Sequence, residues 1–385
     1  VAPLTKERFR AAVAAENGSR AYIAELVCQL TKDADSLVFV NGRRAASVSP
    51  RSGAVRISSL HEAYANASAL IEAHLTRYAD YRRQAFVALN TAFLDNGAFV
   101  YIPDGTSADR PIHLVYISVP GSGPQISHPR NLIIAGAGSR FSLIETYAGI
   151  DSGAAQQPPY FTNAVTEIVC GKDAAVDHYK LQQESDSAFH IATLQVQQGR
   201  GSNFRSHSLS FGGALTRNDV NAVLEHGSEC TLRGLYAVGG QQHVDTHTSI
   251  DHAKPHAVSH ELYKGVLNGH ASAVFNGKII VRIDAQKTDA RQTNKNLVLS
   301  EGATINTKPE LQIYADDVRC THGATVGQLD EEAIFYLQSR GIGRENAREM
   351  LTHAFAREVT GTIQIETFRN YVEELLASRL AKEAQ

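Results

Sequence analysis

Between about Phe93 and Thr325, apolar residues recur at every second position in short runs, and no strongly amphipathic helix interrupts them. Ala192, Leu194 and Val196 share one parity with His190, while Thr193, Gln195 and Gln197 take the other. Ile279, Val281 and Ile283 share a face with Arg282 opposite, and Leu311 and Ile313 flank Gln312. Period two belongs to extended strands, whose successive side chains point to opposite faces. The runs are separated by similar turns: Gly136-Ala-Gly-Ser, Gly171-Lys-Asp-Ala, Gly199-Arg-Gly-Ser, Gly227-Ser-Glu-Cys, Gly269-His-Ala-Ser, Gly302-Ala-Thr-Ile and Gly323-Ala-Thr-Val. Their spacings run from 21 to 42 residues. A propeller repeats more evenly. A coil of short strands, each rung stacked on the last, tolerates such unevenness, so the pattern fits a parallel β-helix. A β-sandwich with loose loops is the alternative that the pattern leaves open.

The flanks have a different texture. Leu4 to Glu16 and Arg20 to Leu30 have helical spacing, broken at Asn17-Gly18. Leu37 to Val40 followed by Asn41-Gly42 predicts a strand entering a tight hairpin, because Asn-Gly accepts the positive φ that such a turn needs. A further helical stretch is expected from about Leu60 to Asn90. After Leu329, Asp330 can cap a helix through Gln338 that ends at Gly341. Arg344 to Glu358 reads as a second helix, and Ile365, Phe368, Val372, Leu375, Leu376 and Leu380 mark the apolar stripe of a third. The expected division is a mixed, helical region over 1–85, a β core over 86–325 and a helical region over 326–385. The apolar faces of that tail need cover, from the core or from a partner.

Composition excludes several classes. With a net charge of −3 the chain lacks the basic footprint of a nucleic-acid or anionic-lipid binder. No apolar run approaches the roughly 18 residues of a membrane span, and the N-terminal segment has no apolar core of a secretory signal. Cys28, Cys170, Cys230 and Cys320 are far apart and form no CxxC pair. That argues against a disulfide framework and a closed zinc site, and favours a reducing, cytoplasmic compartment.

Two constellations carry possible chemistry. Cys320 and His322 are two residues apart, so on a strand both point to one face. Thiolate and imidazole suit iron, zinc or copper(I), but two ligands do not complete a tetrahedral site. Asp316 has the same parity and could add a carboxylate if the strand is straight; otherwise a second chain must finish the site. The segment from His243 to His260 holds His243, His247, His252, His256 and His260. His243, Asp245 and His247 could share a strand face, which makes His243 and His247 candidate ligands of a stand-alone metal-binding β-fold enzyme. Pro255 interrupts any single helix or inner strand there. The chain has no G-x-S-x-G elbow, no GxxxxGK[ST] phosphate loop and no HExxH.

The run DDVRCTHGATVGQLDEEAIFYLQSRGI resembles the signature of the SufB/SufD family of iron–sulfur cluster assembly proteins. ALNTAF at 88–93, FVYIPDG at 99–105, PIHL at 111–114, DTHTSIDHAKPH, ELYKGVL and FNGKIIV resemble it too. Gly323, where the SufB type carries Glu after the His, places the resemblance on the SufD type. The resemblance implies a right-handed parallel β-helix flanked by helices. It implies a non-catalytic scaffold subunit in a complex with a SufB-type paralogue, paired through the β-helix edge, and a SufC-type ABC ATPase. A homodimer is implied when the chain is alone. Cys320 and His322 would meet a nascent, transient cluster of iron and sulfur at the paralogue interface, with no tightly bound cofactor. The ATPase would contact the C-terminal helices, where Ile334, Phe335, Tyr336, Met350 and Phe355 are the assigned contacts.

Overall fold

A computed structural model describes residues 4–12, 20–47, 54–150 and 157–383. Two long sheets of parallel strands face one another and form a solenoid of about 7 turns. From Arg130–Ala135 onward the chain alternates between the sheets, so sequence neighbours lie on opposite walls and each strand pairs with the next but one. The register is continuous: Phe204, Cys230, Ser259, Ala290 and Cys320 occupy one position on successive rungs of the second sheet. The period-two runs explain this wall. In Ser272–Val281, Ala273, Phe275, Gly277, Ile279 and Val281 point inward and are buried, while the residues between them are half-exposed. Stacking such faces removes a continuous apolar column from water, which no single rung could do alone.

The alternation extends less far than expected at two points. Ile283 lies beyond the end of its strand and is 66% exposed. Gly323-Ala-Thr-Val is not a turn but the middle of the last strand, Arg319–Gly327. The other glycine motifs do mark corners, and Gly138, Gly201, Gly227 and Gly269 take positive φ there.

The interior also holds a polar belt that alternation alone does not announce. Glu145, His178, Lys180, Glu184, His190 and Asn218 are all buried. Lys180 Nζ donates to Asn218 Oδ1 at 2.5 Å, Tyr147 Oη donates to Glu145 Oε2 at 2.8 Å, and His190 Nδ1 lies 2.7 Å from Glu184 Oε2. Burial lowers the Lys180 ammonium to about 8, against the opposing pull of Glu145, Glu184 and Asp219.

At the N-terminal end the chain forms helices α1 (Arg20–Thr31), α2 (Leu60–Asn66), α3 (Ser68–His74) and α4 (Ala85–Ala92). Asp35–Val40 and Arg43–Ser47 make the expected hairpin, with Asn41 and Gly42 both at positive φ. Leu4–Glu16 is not a helix where it is described. Leu4–Lys6 is a single 3₁₀ turn, and Arg10–Ala11 pairs with Gln125–Ser127. Pairing with a free strand edge outweighs the local helical spacing. Asn17-Gly18 lies outside the described residues. The helix expected over Leu60–Asn90 is broken after α3, where the backbone N–H groups of Thr76, Tyr78 and Ala79 donate to the Glu167 carboxylate, each at 2.9 Å. Arg130 Nη2 binds the same carboxylate at 2.6 Å, with both side chains fully buried.

The C-terminal helices are α5 (Glu331–Ser339), α6 (Arg344–Thr360) and α7 (Glu366–Glu383). Asp330 caps α5 by accepting from Glu332 N at 2.9 Å. Ala356, Val359, Ile363, Phe368, Val372, Leu376 and Leu380 cover Ile144, Tyr179, Leu181, Leu209, Leu235 and Val266 on the outer face of the second sheet. The tail therefore finds its cover on its own core. Polar contacts fix it across several rungs: Tyr371 to Gln183 at 2.9 Å, His207 to Thr362 at 2.8 Å, and Lys264 Nζ to both Phe355 O and Glu358 Oε2 at 2.6 Å. Among the described residues no helix is long and apolar enough to cross a membrane.

Candidate functional site

The solenoid is unfinished at its C-terminal end. Thr304–Ile313 is the outermost strand of the first sheet and Arg319–Gly327 that of the second, so each is paired on one side only. Their outer N–H and C=O groups are free to template another strand. The inward-facing side chains of this rung also lack the next rung that would cover them. Val326 is 52% exposed and Ile313 40%, although both have the parity of core residues beneath them.

Cys320 and His322 lie on this last strand and share its inward parity, as their spacing requires. Cys320 stands over Ala290, half-buried, and packs with Leu311 and Val318 against the end of the core. Burial and the nearby charge of Asp289 push its thiol up from the ordinary range. His322 stands over Gln292, and its imidazole is exposed. A side chain at Gly323 would meet nothing within 4 Å, so no steric demand fixes glycine there.

Asp316 does not join them. It lies in the bend before the strand, and parity has no meaning there. Its neighbour Asp317 pairs with Lys287, and the Asp317 backbone N–H donates to Gln286 Oε1 at 2.9 Å, so Asp317 ties down the last corner.

The histidine-rich segment divides between environments. His243, Asp245 and His247 do share the outer face of His243–His252. Asp245, however, is held by Arg217 Nη1 at 2.7 Å and lies 2.8 Å from His247 Nε2, while His243 Nδ1 is 2.7 Å from Ser272 Oγ. The guanidinium fills the place that a cation would need. His252 points inward to Ser259 Oγ at 2.9 Å, His256 lies in a corner, and His260 is exposed on the next strand of the other sheet. Among the described residues no group of three or more His, Cys, Asp or Glu side chains could hold a metal ion.

The five residues assigned to an ATPase contact separate by exposure. Phe335, Tyr336 and Met350 are 72%, 58% and 50% exposed. Ile334 is fully buried, and Phe355 packs inward beneath Lys264, whose Nζ is 3.8 Å from its ring centroid. Ile334 presents nothing outward, and Phe355, partly buried, packs toward the core. The resemblance implied a contact through these helices but not which side of each helix the core would take.

Sequence reasoning also missed two residues behind His322. Gln292 and Glu261 follow it inward along the same column, both buried, with Gln292 Nε2 donating to Glu261 Oε2 at 2.6 Å. Burial, only partly offset by its hydrogen-bond partners, raises the Glu261 carboxyl to about 7. Their signal was the rung register, which becomes readable only once the corner lengths are known.

Comparison with known proteins agrees with this architecture. Residues 117–355 match the family described as SUF system FeS cluster assembly, SufBD core domain, and residues 13–114 match the SufBD protein N-terminal region. An iron–sulfur cluster assembly SufBD family protein of Synechocystis is 38% identical over 300 residues, which is 77% of this chain and 66% of that protein. The iron–sulfur cluster assembly protein SufD of Escherichia coli is 32% identical over 356 residues, 91% of this chain and 80% of its own. SufD of Bacillus subtilis is 27% identical over 300 residues, 76% of this chain and 66% of its own.

Proposed function

Because this chain belongs to the SufB/SufD family of iron–sulfur cluster assembly proteins, on its SufD side, we propose that it is a non-catalytic scaffold subunit acting with a SufB-type paralogue and a SufC-type ABC ATPase. One observation carries the reading. The last rung of the solenoid is unpaired on its outer side, and the side chains on its inward face include a thiol and an imidazole with no third ligand among the described residues. A paralogue strand added to that edge would supply both the missing hydrogen bonds and the missing ligands. Iron and sulfur are cargo assembled across the seam, with Cys320 as thiolate contact and His322 as imidazole ligand. A second copy of this chain can take the same edge when the paralogue is absent. The cytoplasm suits its free thiols.

The test is co-expression with the cognate partners, followed by iron and sulfide analysis of the purified complex. Cys320→Ala and His322→Ala are each expected to lower cluster yield about tenfold or more while leaving the complex assembled, because a lost ligand is not replaced from the same chain. Full yield from His322→Ala overturns the ligand role.

The ATPase is assigned to the exposed apolar face of α5 and α6. Aromatic side chains that stay exposed beside a firmly docked helix are the usual anchors of an interface. Replacing Phe335 and Tyr336 together by Asp is expected to weaken ATPase binding at least a hundredfold in a pull-down titration, without shifting the melting of the isolated chain. Retained binding would move the contact elsewhere. Movement of these helices with the nucleotide state would act on the second sheet directly, because α6 and α7 are fixed to it at Lys264, His207 and Gln183.

A further inference from the structure

Along the second sheet, Ser206, Leu232, Glu261, Gln292 and His322 occupy one inward position on successive rungs. The last three run from a buried acid through an amide to the exposed imidazole. Gln292 is 1% exposed and Glu261 4%. The Gln292 side chain crosses the interior to the opposite wall, where a Cβ on Gly277 would meet its Nε2 at 2.3 Å. Glycine at 277 therefore reserves the space in which that amide lies.

The orientation of the amide follows from its inner neighbour. Glu261 Oε2 accepts from Gln292 Nε2 at 2.6 Å, so the amide NH₂ turns toward Glu261 and its oxygen turns away. That oxygen, Oε1, is buried and has no donor. Buried polar atoms without partners are rare and call for an explanation. The residue in register on the next rung, about 4.8 Å away at ordinary strand spacing, is His322, whose ring carries an N–H and is free to rotate.

We propose that Gln292 is a positioning residue for His322: its Oε1 accepts the imidazole N–H, and Glu261 holds the amide in the orientation that makes this possible. The proposal rests on the reading of His322 as an iron ligand. With one ring nitrogen engaged inward as a donor, the other carries its lone pair outward, toward the seam. Binding would then need no reorientation of the ring, only the arrival of iron and the partner's ligands.

Nitrogen-15 NMR of the full chain labelled at histidine tests this. The His322 signals are identified by their loss in His322→Asn. The wild-type chain is expected to show one dominant His322 tautomer. Gln292→Met keeps the volume but removes the acceptor, and should return the ring to the mixed tautomers of a free imidazole. Gly277→Ala, which displaces the amide without deleting it, should do the same. In the co-expressed complex Gln292→Met should lower cluster yield about tenfold, within the usual range for loss of a ligand's hydrogen-bond partner. An unchanged His322 tautomer in both variants overturns the positioning role even when His322→Ala abolishes assembly. A tautomer shift in Gln292→Met beside full yield from His322→Ala would keep the hydrogen bond and overturn the ligand reading instead.

Discussion

Glu167→Leu should destabilise the chain by about 3–5 kcal/mol, the cost of leaving a buried charge without its partner. Arg130 is the charge left behind, fully buried between the first sheet and α4. Glu167 also accepts from three backbone N–H groups of the turn at 76–79, which have no other acceptor among the described residues. The loss should be local at first. Amide hydrogen exchange at Thr76, Tyr78 and Ala79 should speed up before the solenoid loosens, because the carboxylate ties this turn to the first sheet. The double variant Arg130→Met with Glu167→Leu should recover part of the loss, since a buried pair replaced by apolar groups often costs little. Denaturant unfolding of the three chains measures all of this. A single-variant cost below about 1 kcal/mol, the range of surface ion pairs, would mean that water reaches Arg130.

The second large effect concerns Glu261 and pH. Its carboxyl titrates at about 7 in the folded chain against 4.5 for an unperturbed one, with burial as the main cause. Between those two values the folded state holds a proton that the unfolded state has released, so stability falls as pH rises through that window. Below about pH 4.5 the group contributes no penalty, and above about pH 7 the penalty is complete at about 3 kcal/mol. Glu261→Gln has no proton to lose. Its stability relative to wild type should be level below pH 4.5, climb between 4.5 and 7, and plateau above, in urea unfolding across the range. Parallel wild-type and variant curves would show that solvent reaches the carboxylate. A residue that costs stability at neutral pH is retained for some other reason, and the orientation of Gln292 is a reason the structure supplies.

The architecture was legible in the sequence because alternation is a local property. Ala192, Leu194 and Val196 announce an inward face whatever surrounds them, and α5 to α7 fall close to where their caps and stripes put them. Register was not legible. It depends on how many residues each corner consumes, and the glycine turns belong to the corners of two walls, so their spacing is not the rung period. For this reason Cys320 and His322, two apart on one strand, could be placed on a common face, whereas Gln292 and Glu261 could not be placed behind them. The histidine-rich segment was legible only in part: His243 and His247 do share a face, but the Arg217 that holds Asp245 there comes from the neighbouring rung, and the corner after His252 sends the rest elsewhere.

Stacked rungs ordinarily share load only with their neighbours. The docked C-terminal helices change that mechanics. From Gln183 to Lys295 they touch strands on well-separated rungs of one wall, bonded at Tyr179, His207, Lys264 and Lys295. They act as a splint along the rod, stiffening the wall that they cover. A pull applied to the splint is therefore felt along much of its length at once.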